Sequence, residues 1–297
     1  MSVAAASLRR GPPAGRGRAG VGDVVSRLLH ARSALAGLAV LVALGAAAIA
    51  APLLAPYDPL DQNMADFLSA PGTAHWFGTD QFGRDLFSRV LWGGRLTLQV
   101  GVIAVGIAGT IGVTLGLIAG FYGGWLDLVI MRAIDLLLAF PSVLLALGVV
   151  AILGGSLENL MIAVGIAGVP QFTRVVRAAV LSARALPYVE AARALGGPDR
   201  IIMWRHVLPN VVAPALVLAT TSAAAAIITG AALSFLGLGV RPPAPEWGAM
   251  LSTGREYLRH APWMSIFPGL AIMVAVVSIN VVGDRLRDVL DPRLRID

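Results

Sequence analysis

The residues best placed to do chemistry lie between Tyr188 and Asn210, where the chain reads YVEAARALGGPDRIIMWRHVLPN. Arg184, Arg193, Arg200 and Arg205, with Glu190 and Asp199 among them, crowd into a polar stretch between two strongly apolar runs. Such charges on short surface helices suit docking of a soluble partner. They offer interaction, not bond making. Composition excludes several other chemistries. Cysteine is absent, which removes disulfides and thiolate metal sites. His30, His75, His206 and His260 are too scattered for metal-ligand spacing. All 23 basic residues are arginine, so a phosphate-binding loop ending in Gly-Lys-Ser/Thr cannot exist.

The polar stretch reads as two short helices around a break. Pro187 can open the first, since proline at the first helical position gives up an N–H that would be unpaired anyway. Gly196-Gly197 ends it through the left-handed cap conformation. Pro198 restarts the chain, and Pro209 is expected to stop the second helix.

The elements that must position this stretch are membrane helices. Of 297 residues, 57% are hydrophobic and 13% charged, and the mean hydropathy is +0.78. A soluble domain carries about 25% charged residues. Six runs are long enough to cross a hydrocarbon core of about 30 Å: Ala34–Leu54, Leu96–Gly120, Val129–Leu153, Leu157–Phe172 extending toward Val176, Val211–Leu238 and Met264–Val282. The reading is an all-α membrane protein. With the N-terminus inside, seventeen arginines fall on cytoplasmic segments and six on external ones. Positive charge prefers the cytoplasmic side, so both termini and the polar stretch belong there. The organisation follows. Residues 1–33 are a disordered basic cytoplasmic tail, 34–95 the first span with an external amphipathic segment, and 96–297 a five-helix core carrying the cytoplasmic loop at 184–210.

Several further segments carry expectations. In HWFGTDQFGRDLFSRVLWGGRLTL, from His75, Asp85 and Arg89 are spaced for an i,i+4 ion pair, and Leu86, Phe87, Val90 and Leu91 can share one face. That describes an interfacial helix along the outer leaflet. Gly112, Gly116 and Gly120 form a ladder that lets helix backbones approach closely, favouring static packing over a moving interface. Asp127, Arg132 and Asp135 cluster near one end of the third span, with Arg132 and Asp135 expected to pair. Pro141 should kink that span. Thr220, Thr221, Ser222, Thr229 and Ser234 interrupt the fifth run, as expected of a helix that packs one face against another helix or lines a water-filled path. Pro242, Pro243 and Pro245 stiffen the turn that follows. No ionisable residue falls at a span centre, which counts against an ion-coupled secondary transporter.

Glu190-Ala191-Ala192, then Gly196, then Leu208-Pro209 resembles the EAA loop of permease subunits from binding-protein-dependent ABC importers. His206 stands where the general pattern has an aliphatic residue, and RHVLPN is the form of the dipeptide/oligopeptide/nickel branch. GTDQFGRDLFSR, AALSFLGLGVRPPAPEWGAML and VVGDRLRDVLDPRLR resemble segments of that branch in the expected order, so the likeness covers about residues 35–295. Gly230 departs from it, since relatives often carry an acidic residue there.

The resemblance implies a MetI-like permease fold and the C-type member of a permease pair. It assigns ATPase coupling to Tyr188, Glu190, Ala191, Ala192, Gly196, Asp199, Arg200, Leu208 and Pro209. It also tips the reading of Thr220, Thr221, Ser222, Thr229 and Ser234 slightly toward conduit lining. The implied partners are a homologous second permease, two ATP-binding-cassette ATPases, an extracytoplasmic substrate-binding protein and the lipid bilayer, with no nucleic acid. No cofactor is implied in this chain; ATP and magnesium belong to the ATPases. The implied place is the prokaryotic inner membrane, and the implied cargo a di- or oligopeptide, with nickel or another small solute as the alternative.

Overall fold

The computed structural model describes residues 31–290; the expected disordered tail at 1–33 lies outside them except for residues 31–33, of which Arg32 and Ser33 already belong to the first helix. The described residues are almost wholly helical; the one β pairing among them is an isolated antiparallel bridge between Thr79 and Asp85. Helix α1 (Arg32–Ile49) runs into the short α2 (Ala51–Leu54), and a long external segment leads to α3 (Leu86–Tyr122). Helices α4 (Gly124–Leu138) and α5 (Ser142–Leu153) follow, then α6 (Leu157–Arg184). The polar stretch forms α7 (Pro187–Ala194), α8 (Asp199–Ile201) and a π-helical segment, Ile202–Val207, that passes directly into α9 (Leu208–Phe235). A short α10 (Trp247–Gly254) precedes α11 (Trp263–Leu290). Among the described residues, five helices are long and apolar enough to cross a membrane, and a sixth crossing results if α4 and α5 count as one broken span.

That break differs from the expected kink. The axes of α4 and α5 meet at 93°. Pro141 serves as the N-cap of α5, with ψ of 137°, so the chain leaves helical geometry before the proline instead of bending through it. The steric pressure of proline on the residue before it favours that outcome. Pro209 departs in the opposite direction. It stops nothing; it sits in the first turn of α9, where the missing N–H costs little. The π turn just before it shifts the hydrogen-bond register, a device that tolerates a local defect without ending the helix. Pro170, similarly, lies inside an unbroken α6, which runs to Arg184, beyond the expected Val176.

The external segment was expected to hold a separate interfacial helix. Instead Leu86 opens a single 37-residue helix. The Gly93-Gly94 pair does not interrupt it, because both glycines lie under the indole of Trp247: a Cβ there would come within 3.0 and 3.2 Å of the ring. The expected Asp85–Arg89 ion pair is also replaced. Asp85 caps α3, its Oδ2 accepting from the N–H and hydroxyl of Ser88 at 2.7 Å, while Oδ1 lies 2.9 Å from Nδ1 of His75. Arg89 turns to Asp80 at 3.5 Å and donates to the carbonyl of Pro59 at 2.8 Å.

The seam between α3 and α6 holds the body together, and the glycine ladder makes it possible. A Cβ on Gly112 would stand 2.4 Å from the Cβ of Phe172; one on Gly116, 2.6 Å from the carbonyl oxygen of Thr173; one on Gly120, 2.8 Å from the Cβ of Val180. Small residues are what admit two backbones to this distance. At one end of the bundle Arg184 donates to the carbonyl of Phe121 at 2.8 Å, and Arg285 near the end of α11 donates to Ser33 near the start of α1 at 3.0 Å. The polar stretch and both ends of the described chain therefore share one side. The 55–85 segment, the α5–α6 turn and residues 236–262 share the other.

Candidate functional site

Helix α7 starts with Pro187 and ends in a full glycine cap. The N–H of Gly197 donates to the carbonyl of Ala192 and that of Gly196 to Arg193, both at 3.0 Å. These are the two bonds of the Schellman motif. Gly196 supplies the left-handed residue it requires, with φ of +76° and nothing within 4 Å of an added Cβ. The helix is pinned from below. Val189 is buried beside Leu117, Phe121, Val176 and Val180, and Ile202, Met203 and Val207 from the following segment enter the same cluster. Each such aliphatic side chain, withdrawn from water, contributes about 1.5–3 kcal/mol. The loop is thus a stiff projection of the α3–α6 core.

The outward face is what a partner would meet. Glu190, Ala191, Gly196, Asp199 and Arg200 are all exposed, and Ala192 and Leu208 half-buried toward the core. Asp199 pairs with Arg193 at 3.4 Å across the break, an exposed contact of little energetic weight. Tyr188 does a different job. Its hydroxyl accepts from the amide of Asn210 at 2.7 Å, and that amide also donates to the carbonyl of His206 at 2.5 Å. Tyr188 and Asn210 thus clamp α7 to the start of α9. Three residues beyond the sequence-based set join the exposed face: Leu195 is 88% exposed, Trp204 53% and Ile201 51%. Their signal in the sequence was faint: apolar side chains on a polar stretch, two of them three residues apart. Each adds exposed apolar surface to a stretch that is otherwise charged.

Beneath the loop, two carboxylates of α4 bind α6. Asp127 takes a two-pronged contact from Arg177, at 2.5 and 2.7 Å, and Asp135 accepts from Arg174 at 2.6 Å. Asp135 therefore pairs across helices and not with Arg132, because the crossing of α4 and α6 brings the Arg174 guanidinium to it.

The five hydroxyl residues of α9 divide. Ser222 and Thr229, seven residues apart and so on one face, line a cavity of about 90 Å³ with Ser142 and Gln171. Thr220 packs toward Gly283 of α11, its hydroxyl returned to the carbonyl of Val217. Thr221 is exposed, with its hydroxyl on Leu218. Ser234 is buried beside Gly239 at the opposite end of the bundle. Only part of the expected lining thus shares a space, and Ser142 and Gln171 complete it. Gly230 lies against Val100, where a Cβ would come within 2.7 Å, so an acidic side chain has no room.

The far end is a knot of buried polar groups. Glu246 caps α10, accepting from the N–H groups of Gly248 and Ala249 at 2.9 Å and from Thr97 at 3.2 Å. Trp247 donates to the carbonyl of Val90 at 2.9 Å and Trp263 to that of Thr79 at 3.0 Å. The residues of GTDQFGRD and PPAPEWG hold the outer loops to α3, a structural role.

Span-length helices with a capped, core-anchored surface loop make the chain a membrane subunit with a built docking element. The chain belongs to the family of binding-protein-dependent transport system inner membrane components, whose model matches residues 112–296. It is a permease subunit of ABC importer type, a multi-pass protein of the inner membrane. Residues 21–71 match the N-terminal transmembrane domain of oligopeptide transport permease C. The chain is 47% identical to the dipeptide transport system permease protein DppC of Alkalihalophilus pseudofirmus over 273 residues, covering 92% of this chain and 90% of that one. It is 48% identical to the glutathione transport system permease protein GsiD of Pectobacterium atrosepticum, covering 88% and 86%. Among solved structures, the inward-facing MetNI methionine ABC transporter matches with a TM-score of 0.55 at 19% identity, covering 68% of this chain and 96% of that one. That likeness establishes the MetI-like fold.

Proposed function

We propose that this chain forms, with a homologous permease, the membrane path for uptake of di- or oligopeptides, driven by two separate ATPases and supplied by an extracytoplasmic binding protein. The single observation that carries the reading is the construction of the loop. A Schellman-capped helix projects Glu190, Ala191 and Leu195 outward, is fixed to the core through Val189, and continues through a π turn into the helix that carries Ser222 and Thr229. A partner that pushes α7 therefore acts on the helix lining the inner cavity. The loop side is the cytoplasmic side, by the distribution of arginine. The chain's own role is non-catalytic: docking and repacking between two arrangements, biased by differential contact with the ATPases. Peptide as the cargo is supported by the relatives named for dipeptide and glutathione transport, glutathione being itself a tripeptide.

The test is reconstitution of the chain with its companion permease, ATPases and binding protein in proteoliposomes. Dialanine uptake should require ATP and the binding protein, and persist with a proton ionophore present. Uptake that ignores ATP depletion but collapses with the ionophore would replace this reading with ion coupling.

A further inference from the structure

The end of the bundle opposite the loop holds a cavity of about 910 Å³, large enough for a ligand of several residues. Its wall joins the GTDQFGRD segment, the end of α9 and the 237–244 turn. The charge there is one-sided: Arg84, Arg89 and Arg241 face a single carboxylate, Asp80. Arg89 is largely committed, to Asp80 and to the carbonyls of Pro59 and Pro243. Arg84 is not. It is 94% buried, lies over the ring of Phe82 with its guanidinium carbon 4.7 Å from the centroid, and gives Nε to Asp80 at 2.6 Å. Neither of its terminal nitrogens has an acceptor among the described residues. Two further lining residues hold a buried side-chain oxygen without a partner: Ser234, whose hydroxyl can donate to a carboxylate, and Gln81, whose amide oxygen can only accept.

The terminal nitrogens of Arg84 thus keep donors free on the cavity side, where solvent or a ligand can reach them, and a carboxylate matches the forked geometry of a guanidinium best. We infer that this outer cavity is a carboxylate-binding station for the transported solute, with Arg84 as the anchor and Arg241 as an outer guide. The inference rests on the peptide reading above, because the C-terminal carboxylate is the group all peptides share. It adds that the permease itself, apart from any binding protein, holds cargo by that group. The volume suits a di- or tripeptide. A carboxylate-selective station with a roomy remainder admits many side chains while requiring a free C-terminus.

The experiment is equilibrium binding of radiolabelled dialanine to the assembled transporter in nanodiscs, with no binding protein and no nucleotide. Dialanine should bind in the millimolar range, and the C-terminal amide of dialanine should compete at least about tenfold less well, as expected for loss of one charge-assisted contact. Arg84→Gln should weaken binding by about tenfold or more. Should that variant fail to assemble, Arg241→Gln decides, since Arg241 is exposed and has no intramolecular partner among the described residues. It should weaken binding by about threefold at low salt and less at high salt. Equal competition by the amide, unchanged binding in Arg241→Gln, or no dialanine binding to the wild-type assembly would overturn the inference. None of these outcomes touches the importer reading, which stands or falls on ATP-dependent uptake with the binding protein present.

Discussion

Gly196 offers a test in which backbone geometry and side-chain size make opposite predictions. Its φ of +76° lies in the left-handed region, and an added Cβ would meet nothing within 4 Å. A Cβ therefore meets no steric penalty from the rest of the protein, and the cost of substitution is chiefly conformational. For alanine that cost is about 1 kcal/mol, for a β-branched residue about 2 kcal/mol, and for asparagine, which tolerates the left-handed region, less than for alanine. A shift of 2 kcal/mol reduces the ratio of capped to uncapped loop about thirtyfold. The variants Gly196→Asn, Gly196→Ala and Gly196→Val should thus couple ATP hydrolysis to uptake progressively less well, in that order. The assay is dialanine imported per ATP hydrolysed in proteoliposomes, at matched permease content. An order that follows side-chain volume, with asparagine worse than alanine, would refute the cap argument. Full coupling in Gly196→Val would remove the cap from the mechanism.

Three further outcomes follow from the packing. Gly116→Val should destabilise the α3–α6 seam by 3 kcal/mol or more as a rough estimate, because the new Cβ lies 2.6 Å from a backbone oxygen, while Gly106→Ala, with open space, should be neutral or slightly stabilising; thermal unfolding in detergent separates the two. A double-mutant cycle on Asp127 and Arg177 should give a coupling of about 1 kcal/mol, against less than about 0.5 kcal/mol for the exposed Asp135 and Arg174, with equal values counting against the two-pronged geometry. Because the chain lacks cysteine, single replacements report cleanly: Ser222→Cys and Thr229→Cys should react with a small water-soluble thiol reagent during turnover and lose uptake, whereas Thr220→Cys should be protected by α11.

Much of the helical body was legible because lipid imposes it: apolar runs of span length admit few other structures, and the described helices fall on or near all six. The loop was legible for a local reason, since Pro187 and Gly196 act through their own backbone chemistry wherever they stand. What the sequence hid depends on partners distant along the chain. Asp135 had Arg132 three residues away, yet pairs with Arg174, a choice that only the α4–α6 crossing decides. Asp85 and Arg89 had ideal spacing but met stronger claims from Ser88 and His75 and from Asp80. Proline was ambiguous in principle: Pro141 capped the start of a helix after a break, Pro209 entered the first turn of one and Pro170 sat within one. The hydroxyls of α9 showed the same limit. Composition revealed a polar helix, but only the neighbours Ser142 and Gln171 reveal which face is shared.

The unbroken run from Asp199 to Phe235 makes one beam of 37 residues, about 55 Å long at 1.5 Å per residue. One tip carries the segment that an ATPase would grip; the other carries Ser234, in the wall of the arginine-bearing cavity. A swing of about 10° at the first tip displaces the second by roughly 10 Å if the pivot lies at the near end. Mechanical coupling of this kind has no preferred direction. Whatever occupies the far cavity must bias the grip on the near tip by the same free energy with which that grip biases occupancy, so a loaded chamber would signal its own state to the motor.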